Sequence, residues 1–399
     1  MTIFAQMKIA ILTSGILPIP AVKGGAVENL IDFYLEFNEQ HRLHDITVYS
    51  VGDQLTKGHP ALQSEMNHYH HVEIWSFWSK VRKHLHKLLH GKQYYHYTIE
   101  YYLAQALKDI RRKDYDVVII ENRPGYALPV AACTKARIVL HQHNDFLNSD
   151  SPKGRAIYDV AWRIITVSDY IGRRVKTLDT ESTKCITVNN GIDQAAFSAT
   201  VAMGISRDDL GLLPADFVLV YSGRINAEKG IKQLIEAVVR LKDYPDIKLL
   251  VLGSSFFGDA GADNPFISGL KQLAAPLAGR IVFTGFIPYS QMPGYLKLAD
   301  VAVIPSMWDD PFPTSVIEAM CMGLPVITTQ RGGIPEEASP ENAILLPTDG
   351  DFTGRLVDAI LSLHDDAEKR LAMGQQSALL SARFGKERFA RDFFTALEF

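Results

Sequence analysis

Between Ser306 and Pro325 the chain reads SMWDDPFPTSVIEAMCMGLP, and there Asp310 and Glu318 bracket seven residues. Pro311 and Pro313 disfavour helix before Thr314, and Thr314 or Ser315 is a good N-cap. The pattern predicts a helix starting there, with its first N–H groups open beyond the end of the strand DVAVIPS. Such a helix start is an anion site that favours phosphate. Glu318 also stands at capping-box spacing from Ser315, and that purely local role is its alternative reading.

Three further clusters have the residue types for chemistry. In YSGRINAEKGIKQLIEA, Arg224 and Lys229 flank a strand-to-helix turn. A planar guanidinium and a point-charge ammonium at that spacing can neutralise a diphosphate; a solvated helix start is the alternative. In LPIPAVKGGAVENL, Gly24-Gly25 permits close backbone approach at another helix start, again a place for phosphate. In VLHQHNDF, His141, His143 and Asp145 follow a strand. No third metal ligand is evident beside the two histidines, so they read as ligand hydrogen-bonders or as satisfied structural histidines. Asp349 to Asp351 (DGD) reads as a late turn, and no metal site is expected. Neither GxxxxGK[ST] nor GxGxxG occurs at a strand end, which disfavours a P-loop NTPase and a nicotinamide dehydrogenase.

These residues need elements to hold them. Short apolar runs alternate with helical patterns throughout: KIAILTSG, DITVYSVG, DVVIIEN, RIVLHQHN, RIITVSDY and CITVNNG, then FVLVYSGR, IKLLVLGS, RIVFTGF, DVAVIPS, PVITTQ and NAILLP. Continuous rather than alternating runs suit parallel strands buried on both faces. The 399 residues suit two domains. The expected division is 1–195, 196–380 and a closing helix over 381–399. Each domain is an α/β doubly wound, Rossmann-like sheet, and ligands bind beyond the carboxyl ends of such strands. The 47% apolar and 22% charged composition is that of a soluble globular protein, and the net charge of −4 argues against a nucleic-acid partner. Cys133, Cys185 and Cys321 form no CxxC or CxxH pattern. With no basic n-region before the first apolar run, they point to a reduced, cytoplasmic compartment.

Taken in order, KGGAVENL, VSDYI, VNNGID, SGRINAEKGIKQLIEA, VLGSS, TGFI, DVAVIPS, DPFPTSVIEAMCMGLPVIT and GGIPE resemble the glycosyltransferase family 4 pattern. That resemblance implies a GT-B fold, two Rossmann-like domains facing across a deep cleft. It implies a retaining, metal-independent hexosyltransferase with no cofactor beyond its nucleotide-sugar donor, UDP-sugar favoured over GDP-sugar, and a saccharide or lipid-linked acceptor. Carried onto this chain, Arg224 and Lys229 hold the donor diphosphate and Glu318 the ribose hydroxyls. Phe312, Pro313, Thr314, Ser315 and Val316 contact sugar and phosphates, with Ile287 of TGFI in the same donor set. Gly24 and Gly25 close over the phosphates, and His143 or His141 meets the donor sugar near its anomeric centre. The family has a glutamate where this chain has Asp310, which shortens the reach by roughly one bond, about 1.5 Å. A catalytically silent partner subunit and a sugar-nucleotide epimerase are the competing readings.

In EIWSFWSKVRKHLHKLLHGKQYYHYTIEYYLAQALKDIRRK, Trp75, Trp78, Val81, Leu85 and Leu88 fall at helical spacing among Lys80, Arg82, Lys83, Lys87 and Lys92. A basic amphipathic helix over 75–92 suits an anionic membrane surface, which would place the protein peripherally at the inner face of the membrane. Packing of the stripe on the first domain is the alternative.

Overall fold

The computed structural model describes residues 6–74, 76–90, 95–198, 204–254 and 265–398. The chain divides into two compact units, Met1–Asn190 with Lys386–Phe399, and Gly191–Gly385.

The first unit holds β1 (Lys8–Leu12), β2 (Asp45–Val51), β3 (Asn67–Val72), β4 (Val117–Glu121), β5 (Arg137–Gln142), β6 (Arg163–Thr166) and β7 (Cys185–Thr187). They form one parallel sheet in the order β3-β2-β1-β4-β5-β6-β7. The order reverses between β1 and β4, so the loops leaving those strands part there and leave room for a ligand. The apolar runs seen in the sequence form the other six strands, whereas β3, NHYHHV, was not among them. Its histidines hide the apolar period, and as an edge strand pairing only with β2 it alternates between buried and exposed residues.

The last helix, Lys386–Thr395, belongs to this first unit. Phe389, Phe393 and Phe394 join Leu30, Ile31 and Tyr34 of the helix Ala26–His41 and the apolar residues of β1 and β4 in one core. Tyr34 stacks on Phe393 with centroids 4.3 Å apart. Each such phenylalanine contributes about 2–3 kcal/mol by burial, so this helix supports the sheet rather than trailing from it.

The second unit holds β8 (Phe217–Ser222), β9 (Ile247–Leu252), β10 (Ile281–Gly285), β11 (Val301–Ile304), β12 (Val326–Thr329) and β13 (Ala343–Leu346). These are the strands expected from the second-half runs, parallel in the order β10-β9-β8-β11-β12-β13. The switch point lies between β8 and β11. The helices Ile231–Arg240 and Phe352–His364 bury Leu234, Ile235, Leu356 and Ile360 against the sheet.

The helix Phe77–His90 has the reverse of the usual arrangement. Phe77, Trp78, Leu85, Leu88 and Leu89 are each more than half exposed, whereas Ser79 and Lys83 are buried. His86 meets Tyr101 and Lys87 lies over Tyr97, both on the helix Tyr97–Ile110. The apolar stripe therefore does not pack on its own domain, against the alternative reading above. Trp75 and Lys92, two residues of the basic amphipathic pattern, lie outside the described residues.

Candidate functional site

In the second unit the expected residues gather at the carboxyl ends of β8 and β11. Lys229 closes the short turn after β8, where Asn226 caps it by accepting the Lys229 N–H, 3.1 Å away. Gly230 follows with φ +69°, and a Cβ there would stand 1.9 Å from the Pro305 carbonyl oxygen. Only glycine lets the two loops approach this closely. The approach is sealed by Met307 N–H donating to the Glu228 carbonyl, 2.8 Å. It carries the Lys229 ammonium onto the Asp310 carboxylate in a direct ion pair. Ser306 Oγ donates to the same carboxylate oxygen, 3.3 Å. On the other side, Gly333 N–H donates to the Asp310 carbonyl at 2.8 Å, and a Cβ on Gly332 would meet that oxygen at 2.2 Å. Asp309 turns outward to Arg331, 3.0 Å away.

Arg224 leaves β8 after Gly223 and is exposed, and its guanidinium has no partner among the described residues. Its carbonyl accepts the Tyr221 hydroxyl at 2.6 Å, which fixes the backbone beneath it.

The helix Thr314–Cys321 starts where the prolines predict, but Pro313 is its N-cap, with no side-chain cap bond. Thr314 and Ser315 are the first helical residues rather than caps. Val316 N–H donates to the Pro313 carbonyl at 3.0 Å, whereas the amides of Thr314 and Ser315 find no acceptor among the described residues. Two N–H groups of the kind that can hold an anion thus stand at this helix start. Glu318 is buried and takes a hydrogen bond from the Thr314 side chain. The Ser315–Glu318 capping box is therefore not what holds Glu318. Burial pushes its carboxyl up to about 7, partly offset by the Thr314 bond. Phe312 and Val316 are buried, Phe312 against Phe384 at 5.7 Å, and Ile287 is half-buried in the loop after β10.

One buried acid here was missed by the sequence reading. Both carboxylate oxygens of Glu337 are enclosed without a partner among the described residues. Burial, then the charge of Asp310, drives its pKa well above the ordinary carboxyl value. Its place directly after the GGIPE segment carried no local mark of this.

In the first unit, Gly25 is the N-cap of the helix Ala26–His41, with φ +109°. The Glu28 carboxyl folds back over it, so that a Cβ on Gly25 would meet Glu28 Oε2 at 2.2 Å. This helix start thus already carries a carboxyl, which burial pushes up to about 7. A Cβ on Gly24 would meet nothing within 4 Å.

The two histidines separate clearly. His141 is fully enclosed, 4.0 Å from the His143 ring and 5.1 Å from Phe393 between centroids. His143 is also buried but keeps 7% of its surface exposed, against none for His141. Both donate to Glu121, the last residue of β4: His141 Nδ1–H at 3.0 Å and His143 Nε2–H at 2.9 Å. Tyr34 Oη–H donates to the other oxygen at 3.0 Å. Burial alone would raise the Glu121 carboxyl, but His141 and the two imidazole donors hold it down at about 2. Burial, then the neighbouring His141, lowers His143 to about 4, leaving it neutral at ordinary pH.

Glu121, His141 and His143 supply one carboxylate and two nitrogens within 4.8 Å of one another, the third ligand that the sequence did not reveal. The donor set would suit a divalent transition metal. The separations of 2.9–3.2 Å are, however, those of N–H···O hydrogen bonds that already use these lone pairs and protons. Glu121 was overlooked because one acid at the end of an apolar strand looks like a solvated strand end. The β4–β5 register sets it opposite His141.

Two family models match, Glycosyltransferase Family 4 over residues 37–196 and Glycosyl transferases group 1 over residues 204–379. YtcC of Bacillus subtilis, which carries a glycosyltransferase name, is 28% identical over 84% of this chain and 78% of its own length. Spore coat protein SA of the same organism is 27% identical over 98% of this chain and 99% of its own. The crystal structure of HepE from Anabaena, solved with UDP and glucose, superposes with a TM-score of 0.73 at 18% identity, covering 98% of this chain and 99% of that one. Two doubly wound parallel sheets, with one family model on each, make this chain a member of the family 4 type of glycosyltransferases with the GT-B fold.

Proposed function

We propose that this glycosyltransferase moves a hexose, with retention of configuration, from a UDP-sugar to a saccharide or lipid-linked acceptor. The observation that carries this is the grouping at the β8 and β11 ends: the paired Lys229, the buried Glu318, and, without partners among the described residues, the Arg224 guanidinium and two helix amides. Breaking the bond between a sugar and a nucleoside diphosphate puts charge on the leaving phosphate. Fixed cations and helix N–H groups can stabilise that charge from the start of the reaction without a resident metal. Glu318 accepts from the ribose diol, Asp310 addresses the donor sugar, and His143 contacts that sugar. The leaving phosphate takes the acceptor's proton in a front-face attack. UDP is favoured over GDP because HepE has been solved with UDP and with UDP-glucose.

The exposed apolar stripe of the helix Phe77–His90, flanked by exposed Lys80, Arg82 and Lys87, supports peripheral docking on an anionic membrane and hence a lipid-linked acceptor of surface polysaccharide synthesis. No helix among the described residues is long and apolar enough to cross a membrane.

The test is nucleotide release from a panel of UDP- and GDP-hexoses in the presence of a chelator, with the product's anomeric proton followed by NMR. Release from one UDP-hexose, lost in Arg224→Ala, with the anomeric configuration kept, is the expected result. Inversion, or a requirement for added metal, would overturn the mechanism. No cleavage of any donor would favour the silent partner subunit.

A further inference from the structure

We infer that Glu121 and Asn122 form a clamp that fixes His143 as its Nε2–H tautomer and offers Nδ1 to the donor sugar as a hydrogen-bond acceptor only. This rests on the reading that His143 faces that sugar. Consecutive residues at the end of β4 hold His143 at two points: Glu121 Oε2 accepts from its side-chain Nε2–H at 2.9 Å, and Asn122 Oδ1 accepts from its backbone N–H at 3.3 Å. Asn122 stands at φ +54°, a conformation unfavourable for most non-glycine residues, and its own N–H donates to the His141 carbonyl at 2.9 Å. A non-glycine residue persists in that region only where its surroundings hold it there.

The clamp is itself braced. Tyr34 and His141 donate to the Glu121 carboxylate as well, so three hydrogen bonds set its orientation. Tyr34 is held by its stack on Phe393, and His141 lies against Phe393, so the last helix of the chain supports the device from behind. A carboxylate acceptor dictates that the imidazole nitrogen facing it carries the proton. The other nitrogen, Nδ1, has no partner among the described residues and is not among the enclosed atoms. It can therefore only accept. The sugar group placed there must be a donor, a hydroxyl, and neither a carboxylate nor a hydrogen atom satisfies it. Glu121 and Asn122 are thus positioning residues, and His143 Nδ1 selects a hydroxylated hexose over the corresponding deoxy sugar or uronate.

The test begins on the unaltered protein, so it does not depend on a variant that folds. Histidine-15N labelling, with the His143 signals assigned by their loss in His143→Gln, should give a protonated Nε2 and an unprotonated Nδ1. The opposite tautomer would overturn the proposal. In Glu121→Gln the amide can donate to Nε2, so the tautomer should reverse. The kcat for the accepted donor should then fall about 10- to 100-fold while its KM changes less than about threefold. Deoxy donors, each lacking one hydroxyl, should include one that the natural enzyme turns over poorly and that Glu121→Gln no longer distinguishes from the parent sugar. If His143→Ala leaves turnover intact, the reading of His143 as a sugar contact fails. If His143→Ala abolishes turnover while Glu121→Gln keeps both tautomer and rate, the clamp fails and the reading survives. One equivalent of tightly bound metal in the purified protein, lost in Glu121→Gln, would show a metal centre instead and overturn the clamp.

Discussion

Lys229 and Asp310, 81 residues apart, are joined in an ion pair at the mouth of the second sheet, and Gly230 is what lets them meet. The pairing has a consequence for ligand binding. The ammonium we propose for the donor diphosphate is shared with a carboxylate, and on that proposal the two part or rearrange as a donor enters.

Asp310→Asn is therefore expected to tighten UDP binding by about 3- to 10-fold, by releasing the ammonium, and to lower hexose transfer at least about 10-fold by removing a sugar contact. Isothermal titration and initial rates separate the two effects. Asp310→Glu, which restores the family's residue, should retain transfer. Weaker UDP binding in Asp310→Asn would mean that Asp310 positions Lys229 rather than competing for it.

Gly230→Ala places a methyl group against the Pro305 carbonyl at a positive φ. A loss of at least about 2 kcal/mol of stability is expected, read as a lowered midpoint in chemical unfolding. An unchanged midpoint would show that the two loops can separate without cost.

Glu318 yields a pH dependence of two opposite signs. Its folded value is raised from 4.5 to about 7. Between those values the folded protein binds a proton that the unfolded chain does not, so lowering the pH through this window stabilises the unliganded fold. The ribose diol needs the ionised form. Affinity for a UDP-sugar should therefore weaken below pH 7, by at most tenfold per unit, and Glu318→Gln should flatten both trends. Equal pH slopes in the two proteins would remove Glu318 from the nucleotide contact.

Trp78→Glu with Leu88→Glu changes two exposed side chains, so thermal stability should stay within about 0.5 kcal/mol. Sedimentation with anionic vesicles should be lost, and neutral vesicles should bind neither protein. Equal sedimentation of variant and parent would exclude this helix as the docking face.

The sequence made the architecture readable because a parallel strand buried on both faces is one unbroken apolar run, as in VVIIE or FVLVYS. NHYHHV escaped because an edge strand needs only alternate apolar contacts. The gathering of Arg224, Lys229 and Thr314 at the strand ends was readable for a related reason: a cation or hydroxyl just after such a run sits where the sheet opens. The exact cap at Pro313 was not, since a proline supplies no side-chain acceptor to look for. Glu121 was invisible because its meaning comes from His141 on the next strand, His143 just beyond it, and Tyr34 on a helix 87 residues away. Glu337 was equally silent, for nothing near it in sequence says that it is enclosed.

Nucleotide-sugar binding in the second unit is tested most directly by thermal shift of the whole chain with UDP, GDP, ADP and their hexose conjugates, in chelator, beside Glu318→Ala. A ligand that binds only the folded state raises the melting temperature. Stabilisation by UDP and one UDP-hexose, absent with ADP and lost in Glu318→Ala, is the expected result. A folded protein that no nucleotide stabilises, or equal stabilisation of the variant, would contradict the assignment.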